Sequence, residues 1–170
     1  MAQYLIANGP MQTTAAFAAV TTGTAIKTML QIKPSATLGM SIVEWGISFD
    51  GSAAATPGKI ELIETDVAAT VTASVANDLT KYDGAALMGG DPTTNLIQVG
   101  TTATGYTASA EGTTTASRNL DGPQFLPPTQ PYVKQFPLGY RPFVQIAKFA
   151  RIRVTFGAAV NCYCYCIVEV

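Results

Sequence analysis

The sequence predicts an all-β protein: a single-domain antiparallel β-sandwich of about eight strands, wound as a jelly roll or in another sandwich topology. Three observations predict it. Large apolar residues recur at every second position in several short segments, Gly, Pro and Asp punctuate the chain at short intervals, and no segment carries a convincing amphipathic helical stripe. With 170 residues the chain is long enough for one core without staples.

Taken in order, Ala2-Gln-Tyr-Leu-Ile-Ala-Asn-Gly-Pro10 falls outside the alternating rhythm. Residues 1–12 therefore read as an N-terminal arm, either ordered by a neighbour or frayed, and 13–170 as the sandwich domain. The stretches Thr13 to Thr21 and Thr24 to Ile32 are short strands. In Ser41-Ile-Val-Glu-Trp-Gly-Ile-Ser-Phe-Asp50, the residues Val43, Trp45, Ile47 and Phe49 fall on one face, and Asp50-Gly51 stops the strand. Thr56-Pro57-Gly58 is a second break before a strand at Lys59 to Glu64. Val67 to Val75, rich in β-branched residues, reads as a strand, with a short helix from about Ala73 to Lys81 as the alternative.

From Asp83 to Pro131, turn formers recur so densely that only Leu96 to Val99 and Gly105 to Ala110 look extended. In Phe149 to Phe156 the residues Ile152, Val154 and Phe156 face inward, and Arg151, Arg153 and Thr155 outward. Gly157 to Asn161 makes the return. The last strand sets Cys162, Cys164, Cys166, Val168 and Val170 on one side and Tyr163, Tyr165 and Ile167 on the other, the two strands forming an antiparallel hairpin.

The three cysteines of Asn161-Cys-Tyr-Cys-Tyr-Cys166 invite a metal or redox reading, and their spacing argues against both. Residues two apart on a strand have Cα atoms about 6.7 Å apart, at the long limit of disulfide geometry. Tetrahedral zinc calls for four N or S ligands with longer spacers, and the chain has no histidine. The thiols read as small buried apolar groups. Without histidine there is no Ser-His-Asp or Cys-His catalysis, and no nucleotide-binding or metalloprotease motif occurs. Glu61, Glu64 and Asp66 are close in sequence, but Glu61 and Glu64 point to opposite faces of a strand. Asp50, Asp78, Asp83, Asp91 and Asp121 adjoin turns outside any calcium-loop register. Trp45 alternates with core residues, which favours the core over a sugar-stacking platform. These readings assign no catalytic residue, cofactor or metal, and the protein is expected not to be an enzyme.

Charged residues make up only 12% of the chain, so part of its surface is open to burial in an assembly; a Thr-coated sheet is the plainer explanation. Residues 1–122 carry five basic and ten acidic groups, and 123–170 carry five basic groups and one acid. Those halves attract each other, within a fold or between copies, better than either attracts DNA, and neither nucleic acid nor membrane is an expected partner. The candidate contact residues are Tyr4 in the arm, Tyr132, Phe136, Tyr140 and Arg141 in the Tyr- and Pro-rich run 131–142, and Arg151 and Arg153. The last two are expected to face an acidic surface on the same chain, a sister protomer or a shell, and their replacement to weaken assembly while sparing the fold.

Val43-Glu-Trp-Gly-Ile-Ser-Phe-Asp-Gly51, Glu61-Leu-Ile-Glu-Thr-Asp-Val-Ala-Ala-Thr70, Glu111-Gly-Thr-Thr-Thr-Ala-Ser-Arg118 and Lys134-Gln-Phe-Pro-Leu-Gly139 follow one another in an order that resembles small virion proteins of tailed bacteriophages infecting actinobacteria. That family is described as minor capsid, or capsid decoration (cement), proteins. The resemblance implies a homotrimer of jelly-roll domains made in the host cytoplasm and bound to the capsid exterior, with the major capsid protein as partner. A virion-surface glycan-binding jelly roll and a minor tail protein are the alternatives.

Overall fold

A computed structural model describes residues 2–10, 18–52, 55–82 and 96–170. The protein is an all-β sandwich of two antiparallel sheets packed face to face, with no α-helix among the described residues. The long strands set the frame. In the first sheet, β1 (Gln3–Ala7), β4 (Met40–Phe49) and β14 (Asn161–Glu169) run in the order β4-β14-β1. In the second, β3 (Ile26–Pro34), β5 (Gly58–Thr65), β10 (Arg118–Leu126) and β13 (Phe149–Thr155) run in the order β10-β5-β13-β3.

Shorter strands complete the edges. On the first sheet β11 (Tyr132–Gln135) and β12 (Phe143–Val144) line the free side of β4, β7 (Thr80–Lys81) flanks β1, and β2 (Val20–Thr21) pairs with one end of β14. On the second, β9 (Gly105–Ala110) and β6 (Thr70–Ala73) extend beyond β3, which also pairs with β8 (Ile97–Gln98). The described residues thus hold more strands than the eight expected. The expected strand at Thr13 to Thr21 lies largely outside the described residues. Of the Val67 to Val75 segment, Thr70–Ala73 is strand, and the helical alternative is met only by a single 3-10 turn at Ala76–Asp78.

The core between the sheets is what the alternation requires. Cys162, Cys164, Cys166 and Val168 of β14 face Ile152, Val154 and Ile60 of the second sheet's inner layer, all fully buried. Trp45 and Ile47 join them. Val43 does not: the register of β4 against β14 slips between Ile167↔Glu44 and Val168↔Ile42, so Val43 is the extra residue of a bulge and Ile42 takes the core position.

Three expectations are corrected. Residues 3–7, expected in an arm, form β1, paired with β14 on one side and β7 on the other, which buries Tyr4 and Ile6 in the chain's own core. Asn8 prolongs that pairing: its Nδ2 donates to Cys162 O and its Oδ1 accepts from Cys164 N at 2.9 Å, a side chain acting as strand backbone. Next, β13 and β14 are not a hairpin. β13 pairs with β3 and β5, whereas β14 pairs with β1 and β4, so residues 156–160 cross from one sheet to the other. Finally, the loop-rich middle contains β10, an edge strand whose register is broken twice around Asp121-Gly122-Pro123. Edge strands tolerate Pro and bulges there because nothing pairs on their outer side.

Candidate interaction site

Two surfaces follow from this frame, one closed by the chain itself and one open. On the outer face of the second sheet, the segment 111–117 between β9 and β10 crosses over β3 and β13. Two arginines hold it. Arg151, with no exposed surface, donates from Nε and Nη2 to Thr28 Oγ1, from Nη1 to Thr113 O, and from Nη2 to the Glu111 carboxylate. Glu111 also accepts from Thr28 N at 2.6 Å. Arg153 donates to Glu61 Oε1 at 2.7 Å and to Thr114 O at 2.7 Å.

Arg151 and Arg153 lie on the outward face as expected, but the covering segment buries them within the chain. Of the three acidic surfaces foreseen for them, the one on the same chain is realised. Their removal should therefore cost stability, where the sequence alone led to the expectation that the fold would be spared. A guanidinium on an outward sheet face is not forced into water when a covering segment supplies enough acceptors. Gln31 plays a related part, its amide bonding Ala69 N, Ala69 O and Ala103 O as a strand would.

The open surface lies along the edge of the sandwich formed by β10, β11 and β12. Leu138 and Tyr140 are 81% and 80% exposed, Val133 and Phe143 keep half or more of their surface in water on the first sheet, and Phe125, 71% exposed, lies on the second sheet's side of the edge. Five exposed large apolar side chains within nineteen residues are far from the scatter normal on a surface. Taking roughly 200 Å² for each aromatic side chain, the three rings alone expose about 400 Å², against about 800 Å² that each partner contributes to a standard interface.

The strip is rigidly mounted. Pro137-Leu138-Gly139-Tyr140 is a tight turn closed by Tyr140 N donating to Pro137 O at 2.9 Å, with Gly139 at φ 89°, a conformation that favours glycine at that turn position. Arg141 ties the turn to the first sheet by donating to Glu169 Oε2 at 2.8 Å, an oxygen that Gln3 also bonds. These partners, Gln3 foremost, hold the Glu169 carboxyl below the usual carboxylate range. Arg118 ties the strip to the second sheet, donating to Glu64 Oε2 at 2.8 Å and to Phe143 O. Asp121 Oδ2 accepts from Trp45 Nε1 and from Tyr132 OH, each at 2.9 Å, joining β10 to β4 and β11 across the sandwich edge. Burial, then that bond, pushes the Tyr132 phenol up to about 12.

The edge is built against open-ended strand addition. β11 is four residues long between Pro131 and Pro137, and β10 is bulged around Pro123. What it offers is side chains rather than unpaired backbone.

Of the candidate contact residues in 131–142, Tyr140 lies on the strip and Arg141 braces it. Tyr132 and Phe136 turn inward, Tyr132 against Trp45 with ring centroids 5.2 Å apart and Phe136 into the core. Tyr4, Arg151 and Arg153 are buried elsewhere. Phe125, Val133, Leu138 and Phe143 were missed. The available signal was that Leu138 and Phe143 sit beside prolines with no alternating partner to bury them. Trp45 is buried with its indole N–H satisfied, which leaves no platform for a sugar. The three cysteines are free and buried, and burial raises the Cys164 and Cys166 thiols. Comparison with family models, curated proteins and solved structures finds no match for the chain.

Proposed function

We propose that this chain is a structural virion subunit without enzymatic activity: a homotrimeric decoration protein that seats on the outer surface of an icosahedral phage head and bridges major capsid subunits. The observation that carries the reading is the group of exposed apolar side chains Val133, Leu138, Tyr140 and Phe143 on the braced run 133–143, with Phe125 across the edge from them, on a charge-poor chain. A surface of that kind is stabilised by being covered. The chain crosses between the sheets at β3 to β4 to β5 and at β13 to β14, while β5, β10 and β13 stay in one sheet; such crossings are shared by jelly rolls and other sandwiches. The sequence resemblance supplies the setting, a phage head, and multivalency supplies the strength. Three linked protomers engage a shell together, so modest single contacts suffice.

Heads assembled without this protein test the reading. Purified protein is expected to bind them saturably, in fixed ratio to the major capsid protein, and to raise the temperature at which they release DNA. A failure to bind heads, or a few copies confined to the tail, would reject it and favour the tail alternative.

A further inference from the structure

A second surface, sharing no residue with the apolar strip, lies where β4, β14 and β2 end together on the outer face of the first sheet. Ser48 pairs with Tyr163, Thr21 pairs with Asn161, and Asp50 N donates to Asn161 O at 3.2 Å. Alternation turns Ser48, Asn161 and Tyr163 away from the buried thiols, and Asp50 follows them because its carboxylate accepts from Asn161 Nδ2 at 3.0 Å. With Ala19, Phe49 and Cys162 these residues line an open cleft of about 250 Å³.

The chemistry of the lining is selective. One side is a polar row across three strands: Thr21 Oγ1 donates to Asn161 Oδ1 at 3.2 Å, and Asn161 in turn bonds Asp50. The other side is aromatic. Tyr163 lines it, and Tyr165, outside the cleft, stands behind with ring centroids 6.1 Å apart and planes 33° from parallel. Tyr165 is fixed, since its ring lies where a Cβ on Gly46 would come within 2.6 Å, and its hydroxyl donates to Glu44 Oε1 at 2.6 Å.

Among the described residues the lining contains one carboxylate and neither Lys nor Arg, which disfavours an anion. A lone carboxylate already bonded to an amide falls short of the six or more oxygens a calcium ion takes. A neutral ring with one apolar face and hydroxyl groups at its rim fits both sides, stacking on an aromatic while bonding an acid and an amide. The volume is below the roughly 300 Å³ at which drug-sized sites begin, which limits the occupant to one such ring. We propose that this cleft binds a neutral hexose unit of a glycan, stacked on Tyr163, with its hydroxyl groups donating to Asp50 and accepting from Asn161 Nδ2.

The test is an NMR titration of the ¹⁵N-labelled full chain with the methyl glycosides of glucose, galactose, mannose and N-acetylglucosamine, each to about 50 mM, a range suited to millimolar Kd. At least one sugar should give saturable shifts confined to residues 19–21, 48–50 and 161–165. Tyr163→Ala and Asp50→Ala should each weaken that binding about tenfold or more, roughly 1.4 kcal/mol, while Tyr163→Phe retains it. Should Tyr163→Ala not fold, Asp50→Ala, altered at an exposed side chain, decides. The proposal is overturned if no sugar of the panel shifts these residues, or if Asp50→Ala binds as well as the parent. Neither outcome bears on head binding.

Discussion

Arg151 sits without exposed surface among Thr28, Glu111 and Thr113, and a guanidinium so placed is tolerable only while its donors stay engaged. Removing Glu111 leaves that charge buried and short of its counter-ion. We expect Glu111→Ala to lower stability by about 3 kcal/mol in urea unfolding, and the double change Arg151→Met with Glu111→Leu to cost less than Glu111→Ala alone. A double variant as unstable as the two single changes combined would contradict this account of the clasp. The thiols give a second test at this scale. Because burial holds Cys164 and Cys166 in the protonated form, a thiol reagent at neutral pH should label the native protein only as fast as it unfolds. Prompt labelling of any of the three would place that cysteine outside the core.

At the scale of elements, two short pieces bear more than their length suggests. β1 separates β14 from β7, and its loss would open the side of β14 and uncover the thiol row. Ile6→Ala removes a fully buried side chain from that strand and should cost about 2–5 kcal/mol in urea; a change under about 1 kcal/mol would mean β1 is dispensable. The turn 137–140 depends on Glu169 through Arg141. Since the Glu169 carboxyl is held low in the folded state, its contribution is present above the unfolded carboxylate pKa and is lost as pH falls through the lower folded value. Glu169→Gln should therefore flatten the acid limb of the stability profile, while an identical limb in parent and variant would detach Glu169 from it.

These elements also mark what the sequence made legible. β4, β5, β13 and β14 were readable because one face of each is fully buried, so period-two patterning is written into the residues. β1 was not, because five residues are too few to establish a period and their partner lies 160 residues away. β10 was hidden by Gly122-Pro123, turn formers that an edge strand absorbs as a bulge. The buried arginines were unreadable for a different reason: their acceptors come from a segment with no pattern of its own.

For the whole molecule, the outer face of the second sheet and the sandwich edge where β10 meets β11 and β12 of the first sheet differ in what remains to be covered. The face of the second sheet is crossed by residues 111–117, and three ion pairs join the acidic and basic portions of the chain there: Arg151 to Glu111, which holds the segment, Arg153 to Glu61 beneath it, and the exposed Lys148 to Asp66 nearby. The edge at β10 to β12 keeps its aromatic and aliphatic side chains in water. A charge-poor chain that pairs these buried charges internally and leaves an apolar edge uncovered is suited to association through that edge. The most direct test is sedimentation velocity of the purified chain at tens of micromolar, beside Leu138→Asp/Tyr140→Asp. Both substitutions are on exposed side chains, so thermal melting should be nearly unchanged. The parent is expected to sediment as a trimer and the variant as a monomer of equal thermal stability. A monomeric parent at every concentration, or a variant that still assembles, would contradict the claim that this edge is where the protein works.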